Sequence, residues 1–168
     1  EVITTSHSWI STPESIVNAG GKPVFVDTLD DFNIDPKNII KKINRNTKAI
    51  LIVHLFGLPC NMSDIVKISK KYKLFLIEDC AQAHFSTYKK KYVGNFGLAS
   101  AFSFFPTKTL GAFGDAGCVV TNNKLLAQKT RILANHGGKN KKDYFLNGIN
   151  SRMDTLQAAV LNKKIKFL

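Results

Sequence analysis

Two segments of the chain carry side chains whose types and setting suit covalent cofactor chemistry. The first contains the acidic pair Glu78-Asp79, which follows the apolar run 74–77. A carboxylate at the mouth of a buried strand must find a partner, and Gln82 lies three residues beyond Asp79. The simpler interpretation is that Asp79 caps the turn that follows.

The second segment, residues 103–117, contains Lys108 between aromatic residues and glycine turns. Such a setting is unusual for a surface lysine, and burial would favour the neutral, nucleophilic amine that a Schiff-base lysine requires. Ser103 and nearby backbone amides could bind a phosphate at the same strand mouth. The glycines fit neither the P-loop nor the dinucleotide-binding pattern.

The elements that position these residues alternate between apolar strands and amphipathic helices. Strands are predicted at 24–26, 49–54, 74–77, 99–104 and 117–121, and helix starts at Thr12, Asp35, Asn61 or Ser63, Asn123 and Ser151. This alternation is typical of a three-layer α/β/α fold with a predominantly parallel sheet. Ligands bind such sheets at the carboxyl ends of the strands. The stretch 136–150, rich in Gly, Lys and Asn, is predicted to be an exposed loop.

Composition restricts the class of protein. The chain has 168 residues, of which 44% are hydrophobic and 21% charged, which predicts one globular domain or most of one. It has no 18-residue apolar run, so no membrane span is expected. Three cysteines without a CxxC pair favour a reducing, cytoplasmic setting. The four histidines lack metal-ligand spacing, so no metal site is predicted and each imidazole is expected to be structural.

The net charge of +12 is spread along the whole chain. Such a diffuse positive field suits phosphorylated small molecules or a polyanion, although solvated surface lysines are the simpler explanation. Neither a helix-turn-helix nor an aromatic-basic platform accompanies the charge. We therefore expect no nucleic-acid partner.

Four ordered motifs, at residues 77–84, 101–108, 110–115 and 150–154, resemble the DegT/DnrJ/EryC1/StrS family. Its members are sugar-nucleotide aminotransferases that use pyridoxal 5'-phosphate (PLP) on the aspartate-aminotransferase, fold-type-I scaffold. The resemblance runs over residues 1–168. Because full-length members are much longer, the chain is expected to be the central part of the large, PLP-binding domain, without the upstream phosphate-binding segment and the small C-terminal domain.

The resemblance implies a role for each matching residue. Lys108 would form the Schiff base with PLP and later move protons between the cofactor and the sugar carbon. Asp79 would pair with the pyridine nitrogen and keep the ring protonated, so that it can act as an electron sink. Gln82 would lie against the ring or its hydroxyl, and Ser103 would bind the phosphate.

Two further positions extend the resemblance. Trp9 is similar to the aromatic residue that stacks on the cofactor ring, with core packing as the alternative. Asn150, with Arg152 close by, matches a position that reaches the cofactor phosphate of the neighbouring subunit, which implies a homodimer with shared active sites. Family members usually have Ala at the position of Cys80 and Gly at that of Phe85.

The function implied by this resemblance is transfer of an amino group from an amino acid, with glutamate as the favoured donor, to a keto-sugar nucleotide. The product would serve amino-sugar or surface polysaccharide biosynthesis. Two alternatives stay open. One is a PLP-dependent sugar dehydratase or isomerase, although dehydratases of this family carry histidine at the position of Lys108. The other is a non-catalytic basic binding module. The fragment is not expected to be active alone.

Overall fold

A computed structural model describes residues 1–140 and 142–168. They form two compact units, Glu1–Phe102 and Ser103–Leu168. Among the described residues, no helix combines the length and the apolar character needed to cross a membrane.

The first unit is built from a parallel sheet and three helices. Its sheet strands are β1 (Val2–Thr5), β2 (Pro23–Val26), β3 (Ala49–Val53), β4 (Phe75–Asp79) and β7 (Ala99–Ser103). Its helices are α1 (Ser11–Asn18), α2 (Pro36–Lys42) and α3 (Met62–Lys71), and a 3-10 turn spans Leu55–Gly57. Strands β5 (Thr87–Tyr88) and β6 (Lys91–Tyr92) form a separate antiparallel hairpin.

The order of the parallel strands in this unit is β2-β1-β3-β4-β7. The chain moves outward from β1 to β2, then crosses back over β1 to β3 and continues in the other direction. Because parallel crossovers are right-handed, this reversal places α1 on the opposite face from α2 and α3. All five residues of β3 are buried, as expected for a strand covered on both faces. The crevice at the carboxyl ends of β1 and β3 is the switch point where such sheets bind ligands.

The core of the first unit lies between the sheet and helices α2 and α3. Ile3, Ile50 and Leu76 project from three neighbouring strands onto Ile39 of α2 and Ile65 of α3. The β-branched residues suit the strands, and the helical ones recur at the spacing of one helix face. This packing fixes the strands whose ends carry the polar side chains.

Helix starts confirm most of the capping predictions. Asp35 accepts a hydrogen bond from the Lys37 N–H at 2.8 Å, with Pro36 in the first position of α2. Of the two candidates for α3, the cap is Asn61, which accepts from the Asp64 N–H. Asn123 accepts from the Leu126 N–H at 3.0 Å at the start of α4 (Lys124–Ala134).

Two capping predictions were wrong. Thr12 lies inside α1, whose N-cap residue is Ile10 and has no side-chain cap. The last helix, α5 (Thr155–Lys164), begins four residues after Ser151, and its N-cap residue is Asp154. The Ser151 N–H donates to the Ala134 carbonyl at the end of α4. The acidic pair Glu78-Asp79 ends β4, as predicted.

The second unit contains β8 (Gly117–Val120), helices α4 and α5, and a 3-10 turn at Ile165–Phe167. Its core is a small cluster in which Leu110 and Ala112 pack on Leu161 of α5. The described residues of the predicted loop 136–150 form neither helix nor strand, and two isolated bridges join Asn135 to Asn150 and Gly138 to Tyr144. Lys141 lies outside the described residues.

Candidate active site

The Asp79 carboxylate lies at the carboxyl end of β4 and is held at both oxygens. Oδ1 accepts a hydrogen bond from the Ala81 N–H at 3.0 Å, and Oδ2 accepts one from the Thr12 hydroxyl at 3.0 Å. The first contact is the turn-capping role considered for Asp79, but the second joins it to a helix 67 residues away. Each oxygen retains capacity for a further hydrogen bond.

Glu78, the neighbouring residue in β4, points to the opposite side and is fully buried. Its Oε1 accepts from the N–H groups of Phe96 and Gly97, and its Oε2 from that of Gly94 and from His54 Nε2 at 3.2 Å. Burial alone would raise the pKa of the Glu78 carboxyl, but the hydrogen bonds from His54 and the backbone outweigh it and lower that pKa. Glu78 therefore anchors the segment that leads into β7.

His54 is the partner that completes this buried network. Its Nδ1 accepts a hydrogen bond from the Cys60 N–H at 3.1 Å, so the proton resides on Nε2, which donates to Glu78. One potential metal-ligating atom from each of His54, Glu78 and Cys80 lies within 4.8 Å of the other two. Both ring nitrogens and both carboxylate oxygens are already engaged, which confirms His54 as a structural imidazole.

The loops that follow β3 and β4 are tied together at the same edge. Gln82 Oε1 accepts from the Phe56 N–H at 2.7 Å, and the Ser86 hydroxyl donates to the Gly57 carbonyl at 2.7 Å. Because a backbone N–H must meet the oxygen, the orientation of the Gln82 amide is determined. A ligand would meet its NH2 end.

Aromatic side chains surround this edge. Trp9, after β1, is 74% exposed, which contradicts its interpretation as a core residue. The rings of His7, Phe32 and Phe56 meet edge to face, with centroids 5.4 to 6.4 Å apart. Phe85 is half exposed and has a φ of 62°, in the left-handed region that favours glycine, the residue usual at this position in the family it resembles.

Ser103 and Lys108 belong to the second unit. Ser103 ends β7, and its hydroxyl accepts from the Phe105 N–H at 3.2 Å. Lys108 is half-buried, and its N–H donates to the Phe105 carbonyl at 2.9 Å, which closes a turn. Backbone bonds from Phe104 to Ala112 and Ala116, each 2.7 Å, hold the two ends of this loop together.

Gly111 shows how tightly the Lys108 loop is folded. A Cβ at this position would lie 2.4 Å from the Pro106 carbonyl oxygen and 2.9 Å from that of Phe105. The Lys164 amine, from α5, donates to the Gly111 carbonyl. The buried cluster around Leu110 and these hydrogen bonds fix the path of the loop that carries Lys108.

Asn150 is exposed and lies beside the end of α4, with its backbone bridged to Asn135. Arg152 Nη1 donates to Asn135 Oδ1 at 2.7 Å. Arg152 also lines a cavity of about 530 Å³, together with Arg131 and Lys139. This surface carries three positive charges.

The first unit thus brings together three of the predicted residues, Trp9, Asp79 and Gln82, and the second holds Ser103, Lys108 and Asn150. Sequence reasoning missed Thr12 as a site residue. Its N–H donates to the Trp9 carbonyl and its hydroxyl donates to Asp79, so it joins these two candidates. The hydroxyl at a helix start was visible, but a cap explained it equally well.

The sequence of the chain is similar to those of known aminotransferases. A profile of the DegT/DnrJ/EryC1/StrS aminotransferase family matches residues 1–168. The "Pleiotropic regulatory protein" of Geobacillus stearothermophilus is 47% identical over 170 residues, which cover 100% of this chain and 45% of that protein. The "dTDP-3-amino-3,6-dideoxy-alpha-D-galactopyranose transaminase" of Aneurinibacillus thermoaerophilus is 46% identical over 169 residues, covering 100% and 47%. The chain spans a little under half the length of these relatives.

Solved structures of aminotransferases of this kind superpose closely on the chain. DesV of S. venezuelae, in complex with a ketimine intermediate, superposes with a TM-score of 0.95 at 39% identity, covering 98% of this chain and 45% of that one. NtdA of Bacillus subtilis, with bound cofactor PMP, gives 0.92 at 36% identity, covering 99% and 38%. The predicted fold class, a predominantly parallel α/β sheet of the aminotransferase type, is confirmed.

Proposed function

The chain belongs to the DegT/DnrJ/EryC1/StrS aminotransferase family, and from this premise we propose that it is part of a PLP-dependent enzyme that aminates a keto-sugar nucleotide. The amino group would come from an amino acid, with glutamate as the expected donor. The observation that carries the proposal is the Asp79 carboxylate, held at the switch-point edge by Thr12 and Ala81.

The side chains that the first unit offers at this edge fit the PLP ring. Asp79 offers a carboxylate with capacity for a ring N–H. Trp9 offers an indole face that is already exposed, and Gln82 offers an NH2 donor for the ring hydroxyl. Aromatic stacking, an anionic partner and a hydroxyl partner are what a protonated hydroxypyridine ring requires.

When bound, PLP supplies a cationic ring that stabilises the electron pair released at the reacting carbon. Asp79 would hold the proton at the ring nitrogen, and Ser103 would bind the phosphate through its hydroxyl. Lys108 would hold the cofactor through its amine and, once displaced by the donor amine, move a proton at the substrate carbon. These assignments follow the family motifs, position by position.

The proposed substrate is a sugar carrying a nucleoside diphosphate. Support comes from the relative that is named as a transaminase of a dTDP-linked amino sugar. The net charge of +12 would favour the approach of such an anion. Lys108, where dehydratases of the family carry histidine, favours amino transfer over dehydration.

We further propose that residues 1–168 are the central part of the cofactor domain of a cytoplasmic homodimer with shared active sites. Asn150 and Arg152 would contribute to the phosphate of the partner's cofactor. The exposure of Asn150 and the positive charges around Arg152 support this assignment.

Borohydride reduction of the full-length protein loaded with PLP tests the proposal. The cofactor mass should become fixed to the peptide that contains Lys108. Lys108→Gln should abolish the adduct, whereas Lys129→Gln, which removes an exposed lysine of α4, should retain it. Labelling of another lysine, or retention of the adduct in Lys108→Gln, would contradict the proposal.

A further inference from the structure

We propose that Thr12, supported by Ser8, is a positioning residue that fixes the orientation of the Asp79 carboxylate toward the ring nitrogen of the cofactor. This inference rests on the proposed function. It assigns a role in the reaction to a hydroxyl that the family motifs quoted above do not include.

The first step concerns where the Thr12 hydroxyl is used. Thr12 is 3% exposed and is the second residue of α1. The N-cap position belongs to Ile10, whose side chain has no hydrogen-bonding group, so the Thr12 hydroxyl does not cap the helix. The hydroxyl instead donates to the Asp79 carboxylate.

The second step concerns the direction of the protons. A hydroxyl has one proton, and that of Thr12 is donated to Asp79 Oδ2. The Ser8 hydroxyl lies 2.8 Å from Thr12 Oγ1, so Ser8 must donate and Thr12 accept. The result is a chain from Ser8 through Thr12 to Asp79, in which each hydrogen bond polarises the next.

The third step concerns the carboxylate plane. Rotation about the last side-chain bond of aspartate is only weakly restricted. The Ala81 N–H fixes Oδ1, and Thr12 fixes Oδ2, so the two contacts together determine the plane. The Thr12 N–H also donates to the Trp9 backbone carbonyl, so Thr12 contacts both the residue proposed to stack on the ring and the residue proposed to pair with its nitrogen.

The test uses the full-length protein and measures the PLP dissociation constant, the visible absorption maximum of the bound cofactor and the melting temperature of the apoprotein. Thr12→Val keeps the shape but removes the donor, and it should weaken PLP binding about ten- to a hundredfold. It should also move the absorption maximum. Thr12→Ser, the matched control, should restore both, and Ser8→Ala should weaken binding by a smaller factor.

The outcomes separate the inference from its premise. If the wild type takes up no PLP, the proposed function fails and this inference with it. If the wild type binds PLP and Thr12→Val binds equally well, or changes only the melting temperature, the inference is overturned and Thr12 is a structural link. If Thr12→Val does not fold, Ser8→Ala decides: unchanged PLP affinity overturns the inference.

Discussion

Glu78 and Asp79 are adjacent acids with different tasks, and their hydrogen bonds explain the difference. Glu78 accepts three backbone N–H groups and one imidazole N–H in the interior, so nothing remains for a ligand. Within residues 1–140 and 142–168, Asp79 accepts two hydrogen bonds, and it is half-buried. The motif alone does not distinguish them, because both residues end the same apolar run.

Glu78→Gln should destabilise the full-length protein by roughly 3 kcal/mol at neutral pH, because an NH2 group would then face N–H donors. The folded-state pKa of Glu78 lies below its ordinary value of 4.5. Ionised Glu78 therefore stabilises the fold above about pH 4.5, and this contribution is lost as the pH falls through the folded-state pKa.

Urea unfolding of the wild type and of Glu78→Gln should be measured between pH 7 and pH 3. The difference between their free energies of unfolding should become smaller below pH 4.5. Glu14→Gln, at an exposed position of α1, is the control and should change stability by less than about 0.5 kcal/mol. A difference that is independent of pH would contradict the assigned role.

Cys60 should be inert in the native protein. It is fully buried, and burial together with the charge of Asp31 raises the pKa of its thiol to about 12. Since the thiolate is the reactive form, iodoacetamide at pH 8 should modify Cys60 only after unfolding in guanidinium. Peptide mapping of native and unfolded samples measures this, and modification at equal rates would be the contrary result.

At this scale the sequence located Asp79, Gln82 and Trp9 at one edge but misassigned Thr12. A carboxylate after an apolar run is visible locally, whereas Trp9 was identified only through the family resemblance. The partner of Thr12 is 67 residues away. Which of two uses a helix-start hydroxyl serves is decided by tertiary contact, which local pattern does not contain.

Among the elements, the loop that carries Lys108 depends on the absence of a side chain at residue 111. Gly111→Ala should cost about 1–3 kcal/mol and weaken PLP retention, because the new Cβ would collide with the Pro106 carbonyl. Gly114→Ala is the matched control and should cost less, since its Cβ would meet a side chain, the Gln157 amide at 3.0 Å, and no backbone carbonyl. Urea unfolding and PLP affinity of both variants test this, and equal effects would exclude the steric explanation.

The sequence predicted the long apolar strands and missed β1 and the β5-β6 hairpin. β1 ends in two buried threonines, one of which donates its hydroxyl to the Leu51 carbonyl, so it lacks a clear apolar run. The hairpin turns through Lys89 and Lys90, with φ of 50° and 66°. Such turns usually carry Asn-Gly, and a Lys-Lys pair gives no such signal.

For the whole molecule, the proposed sharing of active sites between two subunits makes a direct prediction. Lys108→Ala and Asn150→Ala protomers are each expected to be impaired, but a mixed dimer would contain one intact site. Random co-assembly should restore about a quarter of the sites. Turnover of co-expressed, differently tagged full-length protomers measures this, with two tagged Lys108→Ala copies as the control. Mixed dimers without recovered turnover would exclude sharing.

The family and the fold class were predictable because four motifs occur in the family's order between residues 77 and 154, and the family profile matches residues 1–168. The pairing of Asp79 and Lys108 at one cofactor stays a prediction, which the reduction experiment addresses. Within each unit, the positions of the candidate site residues depend on the order of the strands and on the tight loops between them. A sequence motif directly specifies neither the strand order nor the loop conformation.

The opposite orientations of Glu78 and Asp79 also constrain how this site can change in length. Inserting or deleting one residue in β4 ahead of this pair would move Glu78 and Asp79 to the opposite faces of the sheet. Glu78 would leave its buried hydrogen bonds, and Asp79 would lose its contacts with Thr12 and Ala81. Only changes by two residues preserve the parity of the strand. Insertions and deletions should therefore be tolerated in the surrounding loops and not in β4, and engineering of the pocket should begin in those loops.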